Sequence, residues 1–114
     1  MKIDWAYLRK GWKSCINSQE VLETHQVSIN EVVDARKERF DAEKVWDLLH
    51  KAKSITTAKG KNVQTWDPEV DDKTTILKHV MGPSGNLRAP AYRTEDDFVI
   101  GFNSEFYDKW LTEK

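Results

Sequence analysis

The chain has one thiol, Cys15, and its place in the sequence makes it the first candidate for chemistry. It comes at the start of a predicted helix that begins around Ser14, after the turn segment Arg9-Lys10-Gly11. A thiol at a helix N-terminus meets the positive end of the helix dipole, which favours the thiolate. Lys10 and Lys13 act in the same direction, so the pattern predicts a lowered thiol pKa. Free cysteines are also often buried, and an inert Cys15 on the core face of the helix is the alternative interpretation.

A proline in a segment that otherwise predicts a strand is the second candidate. Pro90 lies within Asn86-Leu87-Arg88-Ala89-Pro90-Ala91, and proline cannot donate to a strand ladder, so it belongs at the entry or edge of a strand. A cis Ala89-Pro90 bond would turn the backbone sharply beside a site. The sequence leaves the cis or trans state of this bond open.

Strands and helices that alternate along the chain must position these residues. The pattern predicts, in order, a strand around residues 3–7, a helix from Ser14, a strand over 27–33, a helix capped by Asp41, an irregular hairpin or loop over 54–67, a short helix from Asp71-Asp72 to Gly82-Pro83, strands over 87–92 and 98–102, and a helix over 104–111 capped by Asn103. Strand-helix-strand order implies a parallel pair with a right-handed crossover, and the late hairpin adds antiparallel strands. A mixed sheet with helices on both faces follows.

Composition narrows the class of protein. A chain of 114 residues with 32% charged and 39% hydrophobic residues is typical of one folded domain spanning residues 1–114. The net charge of −1 does not indicate a basic surface for nucleic acid or an anionic membrane. The first residues lack the apolar run of a signal peptide, and no stretch approaches the roughly 20 apolar residues of a membrane span, so a cytoplasmic location is predicted. Three scattered histidines and one thiol show no zinc-ligand spacing, and we expect no metal.

The order of elements, together with Leu87-Arg88-Ala89-Pro90 and Val99-Ile100-Gly101-Phe102-Asn103, resembles the arsenate-reductase-like (ArsC/Spx) branch of the thioredoxin superfamily over nearly the whole chain. The resemblance implies an α/β thioredoxin-like fold: a mixed four-stranded sheet flanked by helices, with a helical insertion before a cis-proline segment. In that family the first strand leads into a Cys-x-x-Cys or Cys-x-x-Ser loop, against which the cis-proline segment packs.

The same resemblance implies four site residues. Cys15 matches the second position of the Cys-x-x-Cys motif, and Trp12 stands at the first position, where the family keeps its attacking thiol. Arg88 matches the family arginine that precedes the cis-proline, and Pro90 matches that proline. Arsenate-reducing members also clamp the oxyanion with further arginines, a role that the sequence does not assign to any of Arg9, Arg36, Arg39 and Arg93.

Three explanations compete for tryptophan at position 12. Selenocysteine is specified by an opal codon one base from the tryptophan codon, so Trp12 could stand for a native selenocysteine, which the codon in the native gene would reveal. A natural loss of the nucleophile would leave a fold that binds partners, as some Spx-like regulators do. A register error would make Trp12 an ordinary core residue.

The implied function is a thiol- or selenol-dependent oxidoreductase that acts on a small oxidised substrate or a partner-protein disulfide. Its electrons would come from glutathione or from a thioredoxin or glutaredoxin partner, and it would bind no cofactor. We also expect a monomer that binds neither nucleic acid nor a membrane. With Trp12 in place the chain would have little or no activity, because Cys15 alone cannot close an internal disulfide. The alternative is a non-enzymatic protein-binding or regulatory module on the same scaffold, which would dock a partner near Trp12 and Pro90.

Overall fold

Strands and helices alternate through the first half of the chain, as the sequence predicts. The structure is a computed structural model that describes residues 2–83 and 85–113, without the side chain of residue 113. Its elements are β1 (Lys2–Leu8), α1 (Lys13–Thr24), β2 (Ser28–Asp34), α2 (Ala42–Leu49), β3 (Ser54–Lys59), β4 (Asn62–Trp66), α3 (Lys73–Val80), β5 (Ala91–Thr94), β6 (Asp97–Gly101) and α4 (Ser104–Glu113). No helix in this part of the chain is long and apolar enough to cross a bilayer.

The sheet is mixed, with the strand order β2-β1-β5-β6-β3-β4. The prediction of a four-stranded sheet is therefore wrong: the sheet has six strands. Four of them, β2-β1-β5-β6, carry the predicted strand-helix-strand unit and the late hairpin, with β1 parallel to β2 and antiparallel to β5. This four-stranded part of the sheet positions both candidate segments.

The two additional strands are a regular hairpin, β3 and β4, in the segment for which an irregular hairpin or loop was predicted. The implied insertion is therefore only partly helical, because α3 follows a hairpin that joins the main sheet. Strand β3 pairs in parallel with β6, and residues 55–58 are buried although Thr56 and Thr57 are polar. Burial of these threonines depends on partners distant in sequence, which local patterning does not reveal.

The predicted strand over residues 87–92 is also wrong in its first half. Strand β5 begins only at Ala91, and Leu87 forms a single isolated bridge with Met81. The Ala89-Pro90 bond is cis. Proline has no N–H for a ladder, so the chain joins the sheet one residue after it.

The starts of α2, α3 and α4 are where the sequence predicts them, because short polar side chains cap these helices, whereas α1 has no side-chain cap. The carboxylate of Asp41 accepts a hydrogen bond from the Lys44 N–H at 3.0 Å, and that of Asp72 accepts one from Thr75. The side-chain oxygen of Asn103 accepts a hydrogen bond from the Phe106 N–H at 2.9 Å. Each cap satisfies a backbone donor that the first helical turn would otherwise leave unpaired.

Helices α1 and α4 lie together on one face of the sheet. The hydroxyl groups of Ser18 on α1 and Tyr92 on β5 are 2.7 Å apart, and the ring of Tyr107 on α4 meets Tyr92 edge to face. On the opposite face, Tyr7 stacks on Phe40, just before α2, with ring centroids 4.9 Å apart. This packing fixes the end of β1, from which the candidate site begins.

Candidate functional site

The loop between β1 and α1 presents position 12 at the start of the helix. Gly11 has a φ of 90°, a left-handed conformation that favours glycine, and the Trp12 N–H donates to the Arg9 carbonyl at 3.2 Å. Trp12 is the N-cap of α1, and its carbonyl accepts the hydrogen bond from the Ile16 N–H at 3.0 Å. Its side chain is 40% exposed. The interpretation of Trp12 as a core residue is therefore wrong.

Cys15 lies in the first turn of the same helix, but its side chain is buried, with 2% exposed. Burial raises the pKa of the Cys15 thiol, and the hydrogen bond that its Sγ accepts from the Arg9 N–H at 3.4 Å offsets this only in part. The predicted lowering of this pKa is wrong, because desolvation of the thiolate outweighs the helix terminus. The thiol is neutral at pH 7, as the alternative interpretation of a buried cysteine expects.

The pairing of β1 with β5 places Pro90 beside the loop between β1 and α1. Tyr7 of β1 is paired with Ala91 of β5 in antiparallel register. One residue forward on β1 and one residue back from β5, Pro90 therefore comes beside Leu8, where β1 ends. The residue before the proline, Ala89, lines the same cavity as Trp12. Trp12, Arg88 and Ala89 therefore line one cavity, with Pro90 next in the chain, whereas Cys15 does not line it and contacts the backbone N–H of Arg9.

A cavity of about 450 Å³ opens beside Trp12 and is rich in arginine. Arg9, Arg36, Arg39 and Arg88 line it, and no carboxylate does. The guanidinium carbon of Arg9 lies 4.5 Å from the centre of the Trp12 ring. Within the described residues none of the four arginines forms an ion pair, so their charge is available to an anionic ligand.

Arg36 and Arg39 were not recognised as a pair of site residues from the sequence. They belong to a charged run that predicts a solvated loop, and both are exposed. The loop turns because the carboxylate of Asp34 accepts the Arg36 N–H at 2.8 Å. Strands β1 and β2 are parallel, so the loops that follow them meet at one edge of the sheet, where α/β proteins bind ligands. The rule that ligands bind at this edge of a parallel sheet would have identified Arg36 and Arg39 from the sequence.

Arg88 serves mainly as a brace. Its guanidinium donates to the His79 carbonyl at 3.2 Å and to the Ala58 carbonyl at 3.0 Å, joining the end of α3 to β3. Burial lowers the pKa of Arg88, although the residue remains a cation because the ordinary value is 12.5. The guanidinium has five N–H donors, so these two bonds leave donors for a ligand.

No protein-family model matches the sequence, and no curated protein is similar enough to it to count as a match. Within residues 2–83 and 85–113, no three histidine, cysteine, aspartate or glutamate side chains gather in a way that could hold a metal ion. Inference about function therefore depends on the residues around Trp12.

Proposed function

We propose that this chain is a thioredoxin-like domain of the arsenate-reductase-like (ArsC/Spx) branch, with its thiol-exchange site at positions 12 and 15. The strand order β2-β1-β5-β6 supports the fold, because it joins a parallel pair to an antiparallel hairpin with the loop after β1 beside Pro90. The single observation that carries the function is that position 12 is exposed at the N-cap of α1, while the sulfur of Cys15 is buried one turn further on.

The exposure of position 12 and the burial of Cys15 suit two different steps of disulfide exchange. A thiolate or selenolate at position 12 attacks one sulfur of a substrate disulfide, the S–S bond breaks, and the departing sulfur leaves as a thiolate that takes up a proton. The Cys15 thiol then loses its proton and attacks the sulfur or selenium at position 12, which closes an internal bond and releases the second substrate sulfur as a thiolate that takes up a proton. Two electrons pass to the substrate, and glutathione or a thioredoxin or glutaredoxin partner returns them.

The arginines of the cavity favour the first step. Positive charges near position 12 stabilise a thiolate or selenolate there relative to its protonated form. They also attract a substrate with carboxylates, such as glutathione disulfide. In the chain with Trp12 the first step has no nucleophile, so we propose that this form binds such ligands without reducing them.

The proposed attack at position 12 can be tested with a trapping experiment. We expect the variant Trp12→Cys with Cys15→Ser to form a mixed disulfide with glutathione disulfide at pH 7, on the order of 100-fold faster than the unmodified chain, since only the former presents an exposed thiol. The unmodified chain should react faster as the pH rises, because its buried Cys15 has a raised pKa. Mass spectrometry of the adduct against time measures both rates.

A matched control separates activation from exposure. Ile16, one helical turn further along, is 45% exposed, so Ile16→Cys with Cys15→Ser presents an accessible thiol away from the N-cap. We expect this thiol to react more slowly than the one at position 12. Equal rates for the two variants would mean that position 12 has no special reactivity, and the oxidoreductase proposal would be lost.

A non-enzymatic binding module is the second candidate function, supported by the same exposed side chains. Trp12 and Ile16 are four residues apart, so they share one face of α1, and both are exposed. Tryptophan is a frequent anchor of protein interfaces. Arg9, Arg36 and Arg39 beside this face favour a partner with an acidic surface. An unreactive cysteine at position 12, in the experiment above, would favour this function.

A further inference from the structure

A second cavity, of about 670 Å³, lies on the other side of Arg88, between the β3–β4 hairpin and the end of α3. Its volume is within the range of small-molecule sites, roughly 300–1,000 Å³. Gly82, Pro83 and Arg88 line both cavities, but neither Trp12 nor Cys15 lines this one. The residues that line it are Thr57, Lys59, Asn62, Gln64, Lys78, His79, Met81, Gly82, Pro83 and Arg88.

The lining of this second cavity is cationic. Lys59, Lys78 and Arg88 contribute positive charge, and the lining contains no carboxylate. In the described part of the chain, no carboxylate lies within ion-pair distance of either lysine. Lys78 is in the last turn of α3, where a cation also offsets the negative end of the helix dipole. Lys59 comes from β3, so the two lysines bring positive charge to the cavity from two different elements.

Neutral donors complete the lining. The Thr57 hydroxyl is buried and accepts the Trp66 indole N–H at 3.0 Å, which leaves its own O–H free to donate. Nδ1 of His79 donates to the Thr75 carbonyl at 2.9 Å, so in a neutral imidazole Nε2 is an acceptor and His79 adds no donor to the cavity. The amides of Asn62 and Gln64 supply further N–H groups. A ligand with several oxygen acceptors would use more of these donors than a single carboxylate can.

We propose that this second cavity binds a small phosphate-bearing anion. Lysine ammonium groups bind phosphate as point charges, and phosphate oxygens accept several hydrogen bonds at once. The ligand would lie against the side chains of Met81 and Pro83, which supply an apolar wall for the body of an organic phosphate. This inference goes beyond the proposed exchange function and does not depend on it.

Calorimetric titration of the full chain with pyrophosphate, at low ionic strength, tests this proposal. We expect saturable binding that weakens with added salt, as for exposed charges. The variant Lys59→Gln with Lys78→Gln should raise the dissociation constant about tenfold or more, because each substitution removes a charge-assisted contact. Both lysines are exposed, so the variant should retain its fold, which circular dichroism verifies.

Two double variants serve as controls, and each has an assigned outcome. Lys51→Gln with Lys109→Gln removes the same charge elsewhere on the surface and should leave the dissociation constant within about twofold. Arg36→Gln with Arg39→Gln removes charge from the arginine cavity and should also have little effect. No binding of pyrophosphate, equal losses in all three variants, loss only in the arginine variant, or tighter binding of citrate than of pyrophosphate would each overturn the proposal. None of these results would bear on reactivity at position 12.

Discussion

Replacing Gly101 with alanine is expected to reduce the free energy of unfolding by at least about 3 kcal/mol, a large part of the 5–15 kcal/mol typical of a domain. Gly101 has a φ of 96°, and an added Cβ would overlap the carbonyl oxygen of Ala58, its partner in the parallel β3–β6 register. The same carbonyl accepts a hydrogen bond from Arg88. The substitution therefore disturbs the sheet and the brace between β3 and α3 together.

Urea denaturation followed by circular dichroism measures this loss. Gly60→Ala is the matched control, because Gly60 also has a positive φ, 60°, but has no atom within 4 Å of an added Cβ. Gly60→Ala should lower the free energy of unfolding by only about 1–2 kcal/mol, which is the penalty for a left-handed backbone at a residue with a Cβ. If Gly101→Ala cost no more than Gly60→Ala, β3 would not pack against β6 as described, and the six-stranded sheet would be wrong at that point.

The charge of the arginine cavity is expected to control the reaction of an activated position 12 with anionic disulfides. In the Trp12→Cys, Cys15→Ser background, adding Arg36→Gln and Arg39→Gln should slow adduct formation with glutathione disulfide about tenfold at low salt, the lower end of electrostatic steering effects. Both arginines are exposed and line the cavity beside Trp12, so their removal changes charge more than packing. The rate is measured by mass spectrometry across a range of salt concentrations.

A neutral disulfide, hydroxyethyl disulfide, separates attraction of the substrate from activation of the thiol. Its rate should fall less than that of glutathione disulfide, and the ratio of the two rates should approach its unmodified value as salt screens the charges. Lys51→Gln with Lys109→Gln removes the same net charge at a distance and should leave the ratio unchanged. Equal slowing by the arginine and the lysine variants would show that net charge, rather than the cavity, sets the rate.

Local features of the fold are predictable from the sequence because their causes are local. Asp41, Asp72 and Asn103 each cap the helix that follows, since a short polar side chain bonds an N–H three residues later. The Leu87–Pro90 segment identifies the strand entry beside the site, although the strand itself starts after Pro90. The mixed character of the sheet follows from the order of its elements.

Features that depend on distant partners were missed. Strand β3 is buried because β4 and β6 flank it, and its threonines alone favour a loop as much as a strand. The pKa of Cys15 depends on how deeply the first turn of α1 is buried, and the sequence gives only the helix terminus. Arg36 and Arg39 join the cavity through the parallel pairing of β1 and β2, which local charge patterning cannot show.

The most direct test of the proposed function is whether positions 12 and 15 can form one disulfide. Residues three apart at a helix start have Cβ atoms about 5–6 Å apart, near enough for a small adjustment to allow the bond. After oxidation of the single variant Trp12→Cys with glutathione disulfide, we expect no free thiol in denaturant, no attached glutathione and a mass lower by two hydrogens. A stable glutathione adduct at position 12 with Cys15 still free would contradict the account, because the buried thiol would then be unable to resolve it.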